Sequence, residues 1–281
     1  MSDTVHKLPA GTQASAASAL RRIPVARILV WGLAGLVLVF MAIPTLVVIP
    51  VSLNTSKYLD FPPEGLTLRW YGEFLTDAKW IAATTLSFRI ALTVTAASLV
   101  IGTMGALALV RGLRGGGVLV NALVTAPLIV PGIVYAIAVL LFFTPMGISG
   151  TFWGYVLAHT AIAVPYVVLM VSAALYRTDP AMEMAALSLG ANRFQAIWHV
   201  TLPTIRPALA AGGIFAFLTS FDDATISFFL ANLTDVTLPR KMFENLQFFI
   251  SPTLAAVATL LTLFTLVLAS LAQWMRVRAG G

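Results

Sequence analysis

Two adjacent carboxylates, Asp222 and Asp223, stand inside an apolar run that extends from Pro207 to Leu230. A charge at the centre of a membrane helix costs about 2.5–3.5 kcal/mol on insertion scales, so two acids side by side demand an explanation. Read as one helix rising about 1.5 Å per residue, the run carries Asp222 about 22 Å along an apolar core about 30 Å thick. One reading is structural: an acid caps or bonds a neighbouring helix, and both are partly hydrated. The other places at least one acid on a water-filled route, where it attracts a cation. The second is preferred, because the one basic residue expected inside a span, Arg89, is the only partner in sight. Ser220 and Phe221 precede the pair and complete a Ser-Phe-Asp-Asp tetrad that belongs with the same substrate pathway. No catalytic constellation accompanies it. The chain lacks G-x-S-x-G and H-E-x-x-H, and His6, His159 and His199 have no metal-ligand spacing. Cysteine is absent, which removes disulfides, thiol catalysis and thiolate metal sites. A lone histidine within a span, as His159 is, is read as packed and hydrogen-bonded. No Walker A sequence is present, so no cofactor is expected on this chain, and any ATP must be used by a partner.

A second group of residues lies between two apolar runs, from Thr178 to Pro203. Met182, Ala185, Ala186 and Leu189 recur at spacings of three and four, which predicts a helix with one apolar face. Gly190 ends it, because glycine takes the left-handed conformation of a helix end at little cost. A second amphipathic run, Phe194–Trp198, is expected to finish at Leu202-Pro203. Two short helices hinged at a glycine and held between membrane spans make a docking element for a soluble partner.

This pattern resembles the EAA loop of ABC-importer permeases, which reads Glu-Ala-Ala, three residues, Gly, nine residues, Ile, one residue, Leu-Pro. Ala185, Ala186, Gly190, Leu202 and Pro203 fall in register, and Val200 stands where Ile is usual. Met184 occupies the position of the Glu, and the nearest acid, Glu183, lies one residue earlier. One residue is about 100° around a helix, so Glu183 does not simply replace it, and its role stays open. Leu66–Leu75, Pro127–Gly132 and the tetrad at Ser220 look like the spermidine/putrescine branch of these permeases. The resemblance implies an all-α integral membrane protein of the type I importer kind, with the loop as its coupling element. It also implies two ATP-binding ATPase subunits, a second homologous permease subunit and an extracytoplasmic substrate-binding protein. Alternating access would then move a small cationic solute, a polyamine above all. A permease for another small solute (an amino acid derivative, opine or aminophosphonate) is the first alternative, and an ion-coupled secondary transporter the second.

The elements that must position these residues follow from composition. The chain is 59% hydrophobic and 10% charged, where soluble domains sit near 45–50% and about 25%. It is therefore a membrane protein, and no sizeable soluble domain fits beside the spans. A net charge of +6 does not imply nucleic acid, because no basic run interleaves with aromatics. Residues 1–27 form a poorly ordered tail, and residues 276–281 a short one. Apolar runs predict six spans, at about 28–51, 83–110, 118–143, 152–176, 207–230 and 253–275. Pro127 and Pro131 bend the third, either as a tolerated kink or as a hinge along a pathway. A short interfacial helix anchored by Trp70 and Tyr71 is expected between the first two spans. Arg89 is read as snorkelling to the headgroups. Orientation comes from Lys and Arg. Lys7, Arg21, Arg22, Arg27, Arg111, Arg114, Arg177, Arg193, Arg206, Arg276 and Arg278 fall on one side. Lys57, Arg69, Lys79, Arg240 and Lys241 fall on the other. The richer side, with both termini and the 179–203 loop, is expected in the bacterial cytoplasm.

Overall fold

The computed structural model describes residues 11–112, 117–230, 235–248 and 251–279, and the described residues are helical or in connecting segments, with one isolated antiparallel bridge between Asn54 and Leu66. Helix α1 spans Gly11–Ser52. The tail up to residue 27, expected to be poorly ordered with some helix near the membrane, is helical from Gly11 and continues directly into the apolar run. Residues 1–10 lie outside the described residues. After α1, α2 spans Arg69–Thr76. Its expected interfacial anchors turn inward instead. Trp70 is buried and its Nε1 donates to the Asn54 carbonyl at 2.7 Å, while the Tyr71 hydroxyl lies 2.6 Å from Ser52 Oγ.

The core is a packing of three long helices, α3 (Ala78–Leu107), α6 (Phe152–Leu175) and α10 (Arg206–Phe221). Asp77 caps α3 by accepting from the N–H groups of Lys79 and Trp80, and the Thr151 hydroxyl caps α6 by accepting from Gly154. The three meet at Val167. A Cβ on Gly102 of α3 would lie 2.6 Å from Val167 Cβ, and one on Gly212 of α10 would lie 3.3 Å from Val167 Cα. The missing side chains let the backbones approach closely, which replaces the hydrophobic driving force that lipid does not supply. A ring cluster of Phe88, Phe217, Phe221 and Phe264 joins α3 and α10 to α13 (Pro252–Ala279). Arg89 is exposed on α3 with its guanidinium 5.4 Å from the Phe152 ring centroid. At the N-terminal end of α3, α12 (Leu238–Phe248) is fastened by its Leu238 N–H donating to Ser87 Oγ at 2.8 Å. Lys241 of α12 sits 4.8 Å from the Trp80 ring centroid, and partial burial lowers its pKa below the ordinary lysine value.

Among the described residues, four helical segments are long and apolar enough to cross a membrane: Arg27–Ser52, Ala78–Gly112, Phe152–Leu175 and Pro252–Leu271. Two bent pairs raise the number to at most six. In the first, α4 (Gly117–Thr125) and a 3-10 turn at Ala126–Leu128 are followed by α5 (Gly132–Phe143), and the axis turns by 97°. The helix expected over 118–143 is therefore broken rather than kinked, as a broken span or a re-entrant loop. Pro131 has extended ψ (131°) and stands as the N-cap of α5, and a proline disfavours helical geometry in the residue before it. The second pair joins Arg193–Thr204 to α10 with a turn of 75°. The expected span over 207–230 is broken as well. Its helix α10 stops at Phe221 and resumes as α11 (Thr225–Leu230). At the C-terminal end, α13 continues through Ala279, so most of the expected tail from 276 is helical.

Candidate functional site

The loop between α6 and α10 is built by strong local signals. Helix α7 (Pro180–Ser188) begins with Pro180 in its first turn and with Asp179 Oδ1 accepting from the Ala181 N–H at 2.8 Å. It ends at Gly190, whose φ is +92°. The Ala191 N–H reaches back to the Ala186 carbonyl and the Gly190 N–H to the Leu187 carbonyl, the paired bonds of a Schellman cap. Helix α8 (Arg193–Ala196) opens with a capping box between Asn192 and Gln195. The expected stop at Leu202-Pro203 does not occur there. A π-helical segment at Ile197–Thr201 leads into one more turn, α9 (Leu202–Thr204), and the chain bends at the buried Ile205. The wider π turn precedes Pro203, where a regular helix would meet the proline ring with a carbonyl four residues back.

The apolar side of this loop faces away from the protein. Leu189 is 89% exposed, Phe194 72% and Met184 65%, and Trp198 stacks on Phe194 with ring centroids 6.0 Å apart. Ala185 is exposed, while Ala186, Leu202 and Pro203 are half-buried. The polar residue points inward. Glu183 Oε1 accepts from Thr201 Oγ1 at 2.8 Å and lies 3.4 Å from Arg111 Nε. Arg111 belongs to a π-helical segment, Ala108–Gly112, at the end of α3. Its Nη2 also donates to Thr178, to the carbonyl at 3.3 Å and the hydroxyl at 3.2 Å.

The second group lies at the break between α10 and α11. Ser220 and Phe221 are buried, Phe221 within the ring cluster and Ser220 with its Oγ 2.9 Å from His159 Nδ1. Asp222 caps the C-terminal end of α10 and is exposed. It borders an open cavity of about 500 Å³, with Tyr166, Thr219, Met242 and Thr265 among the other residues of the wall. Asp223 lines the same cavity and is also tied to the start of α11. Its Oδ2 accepts from the Ile226 N–H at 2.7 Å and the Ser227 N–H at 3.3 Å, and lies 3.7 Å from His159 Nε2. The physical reason for the break is visible here. Amides released from a helix in an apolar medium need acceptors, and the Asp223 carboxylate supplies one. The two acids are therefore not successive positions of one continuous helix. Among the described residues no group of His, Asp and Glu is arranged to hold a metal ion.

Residues 98–278 match the family described as binding-protein-dependent transport system inner membrane component. The chain belongs to this permease family. It is 31% identical over 250 residues to the putrescine transport system permease protein PotI of Escherichia coli (strain K12), a match covering 85% of this chain and 88% of that one. It is 30% identical over 249 residues to the spermidine/putrescine transport system permease protein PotC of the same organism, covering 89% and 94%. A permease-containing crystal structure, that of a bacterial ABC transporter importing the acidic polysaccharide alginate, superimposes with a TM-score of 0.67 at 16% identity, over 90% of this chain and 97% of that one. That likeness establishes the all-helical importer-permease fold. The protein is thus a transport component of an inner-membrane system, not an enzyme.

In this permease the residues that sequence reasoning passed over are Arg111, Thr201 and Tyr166. Arg111 entered only as one positive charge in the orientation count, and Thr201 only as the spacer between Val200 and Leu202. Nothing in the local sequence announces that they meet Glu183, because the contacts span 72 and 18 positions of chain. His159 is the neighbour of Asp223 that the search for a basic partner did not consider. Its reading as packed and hydrogen-bonded agrees with its burial and its bond to Ser220.

Proposed function

We propose that this permease is one of two membrane subunits of an ATP-binding-cassette importer that carries a polyamine, putrescine or spermidine, into the bacterial cytoplasm. Six spans, two of them broken, place both termini and the 179–203 loop on the cytoplasmic side. Two ATPase subunits dock on that loop and on its counterpart in the second, homologous permease subunit. An extracytoplasmic binding protein delivers the substrate at the opposite face. The exposed apolar residues Met184, Leu189, Phe194 and Trp198 support the docking role, since lone apolar side chains are common on surfaces but a contiguous group marks an interaction site.

The observation that carries the substrate class is Asp222. Its carboxylate borders an open cavity at a helix break, in a chain whose near full-length relatives are named for putrescine and spermidine. A polyamine loses hydration on entering a low-dielectric route, and a carboxylate on that route replaces part of what is lost. Alternating access then requires the ATPases to favour different permease conformations in their two nucleotide states, since a partner that binds both equally shifts nothing. The test is uptake of radiolabelled putrescine and spermidine by proteoliposomes that hold the whole complex, with ATP inside and the cognate binding protein outside. ATP-dependent uptake of either is expected. A complex that hydrolyses ATP in response to its binding protein but takes up neither polyamine removes the polyamine reading and leaves the importer class standing.

A further inference from the structure

We infer that Arg111 and Glu183 form a clamp that makes the 179–203 loop and helix α3 move as one body, so that Arg111 is a positioning residue for energy coupling. The inference rests on the reading of that loop as the ATPase docking element. Three ties converge on the pair. Arg111 Nη2 holds Thr178, the residue before the N-cap of α7. Arg111 Nε faces Glu183 Oε1 in the first turn of α7 at 3.4 Å. The same Glu183 oxygen accepts from Thr201, beyond α8, at 2.8 Å. Thr178 and Thr201 bracket the loop, so one guanidinium and one carboxylate fasten its entry, its first helix and its exit to the end of α3. Both side chains are 22% exposed, which shields the pair from the screening that weakens surface ion pairs.

The loop has no comparable inward anchor along α7, none of whose residues is buried. Its apolar side chains project outward. A force applied to that outer face therefore reaches the membrane helices through the clamp and through the chain connections at either end. Helix α3 is the appropriate receiver. It packs against α6 and α10 around Val167, and α10 ends at Asp222. The vacant Glu position of the loop motif fits the same arrangement: Met184 faces outward for docking, and the acid one residue earlier has turned inward to hold Arg111.

The experiment uses the complete reconstituted complex and reads two quantities, co-purification of the ATPase subunits with the permease and the ratio of binding-protein-stimulated to basal ATP hydrolysis. Arg111→Gln and Glu183→Gln are each expected to keep the ATPases bound while lowering the stimulation ratio roughly fivefold, and the double variant is expected to fall no further than either single one, as for residues in direct contact. Arg111→Lys, which keeps the charge and a donor, is expected to recover at least half of the ratio. A merely structural role would not separate binding from stimulation. Single variants with a normal ratio, or a double variant whose loss is the product of the single losses, would overturn the clamp. Loss of the ATPases from Glu183→Gln alone would make Glu183 a docking contact and overturn it too. Wild-type permease that never co-purifies with an ATPase would instead overturn the docking reading beneath it.

Discussion

Asp222 and Asp223 both line the cavity, and Asp223 is also bound by the first amides of α11, so substitutions at the two positions separate a pathway role from a capping one. Asp222→Asn keeps size and hydrogen bonding but removes the charge that would meet an ammonium group. Putrescine uptake is expected to fall about tenfold, equivalent to about 1.4 kcal/mol, with normal amounts of complex in the membrane. Asp223→Asn retains an oxygen that accepts from Ile226 and Ser227, so uptake should stay within about threefold of wild type. Asp223→Ala has no acceptor left, and loss of a helix-start acceptor costs about 0.5–2 kcal/mol. Its thermal unfolding midpoint in detergent should drop while that of Asp223→Asn does not. The opposite ranking, with Asp223→Asn abolishing uptake and Asp222→Asn harmless, would assign the substrate to Asp223. His159 adds a further constraint on this pair. It is buried on α6 and bonded to Ser220, so it fixes the last turn of α10 from which Asp222 projects.

Among the elements, the α7–Gly190–α8 unit is the one whose geometry is most sharply defined by sequence. A β-branched residue at a φ of +92° strains the backbone by roughly 1–2 kcal/mol, and no neighbour lies within 4 Å of the site to be displaced. Gly190→Val is therefore expected to leave membrane insertion intact, since the conflict is conformational rather than steric. It should tilt α8 with its Phe194–Trp198 face away from α7, and binding-protein-stimulated ATP hydrolysis should fall. A Gly190→Val complex that couples fully would show that the turn is incidental. Gly190 was legible because the signal for a helix end is local: the special φ and the bonds that go with it lie within a few positions. The breaks at Pro131 and at Asp222–Ala224 were not. A proline in an apolar run permits either a kink or a break, and only the packing of the surrounding helices decides. The acids after α10 were read on a continuous helix because the hydrophobic run continues unbroken to Leu230, so composition hid a change of direction. Trp70 misled for a related reason. An aromatic beside an apolar helix reads as an interfacial anchor unless a distant acceptor, here the Asn54 carbonyl, claims its N–H.

For the whole molecule the open structural quantity is how many times the chain crosses the bilayer, and the broken pair α4–α5 decides it. The chain contains no cysteine, so single cysteines report sidedness to an impermeant thiol reagent without a background to remove. Lys57 and Met146 are exposed, at opposite ends of the stretch that contains α3, α4 and α5, and Ser188 is exposed at the end of α7. If the pair α4–α5 crosses as one span, Lys57→Cys and Met146→Cys label from outside intact cells and Ser188→Cys labels only after permeabilisation. If the 97° bend makes the pair re-entrant, Met146 stays on the inner side. The following span, α6, then carries Ser188 to the outside, and the two patterns invert at both positions. The distribution of Lys and Arg favours the first pattern, because positive residues accumulate on the cytoplasmic side, and Arg177, Arg193 and Arg206 all flank Ser188. The energetic argument agrees. Backbone groups left without helical partners at a break need other partners or water, and a break within a complete span can meet that need where it lines a hydrated route. Labelling is therefore expected at Lys57 and Met146 from outside and at Ser188 from inside. Outside labelling of Ser188 would take the docking loop away from the cytoplasmic ATPases and with it the proposed coupling path.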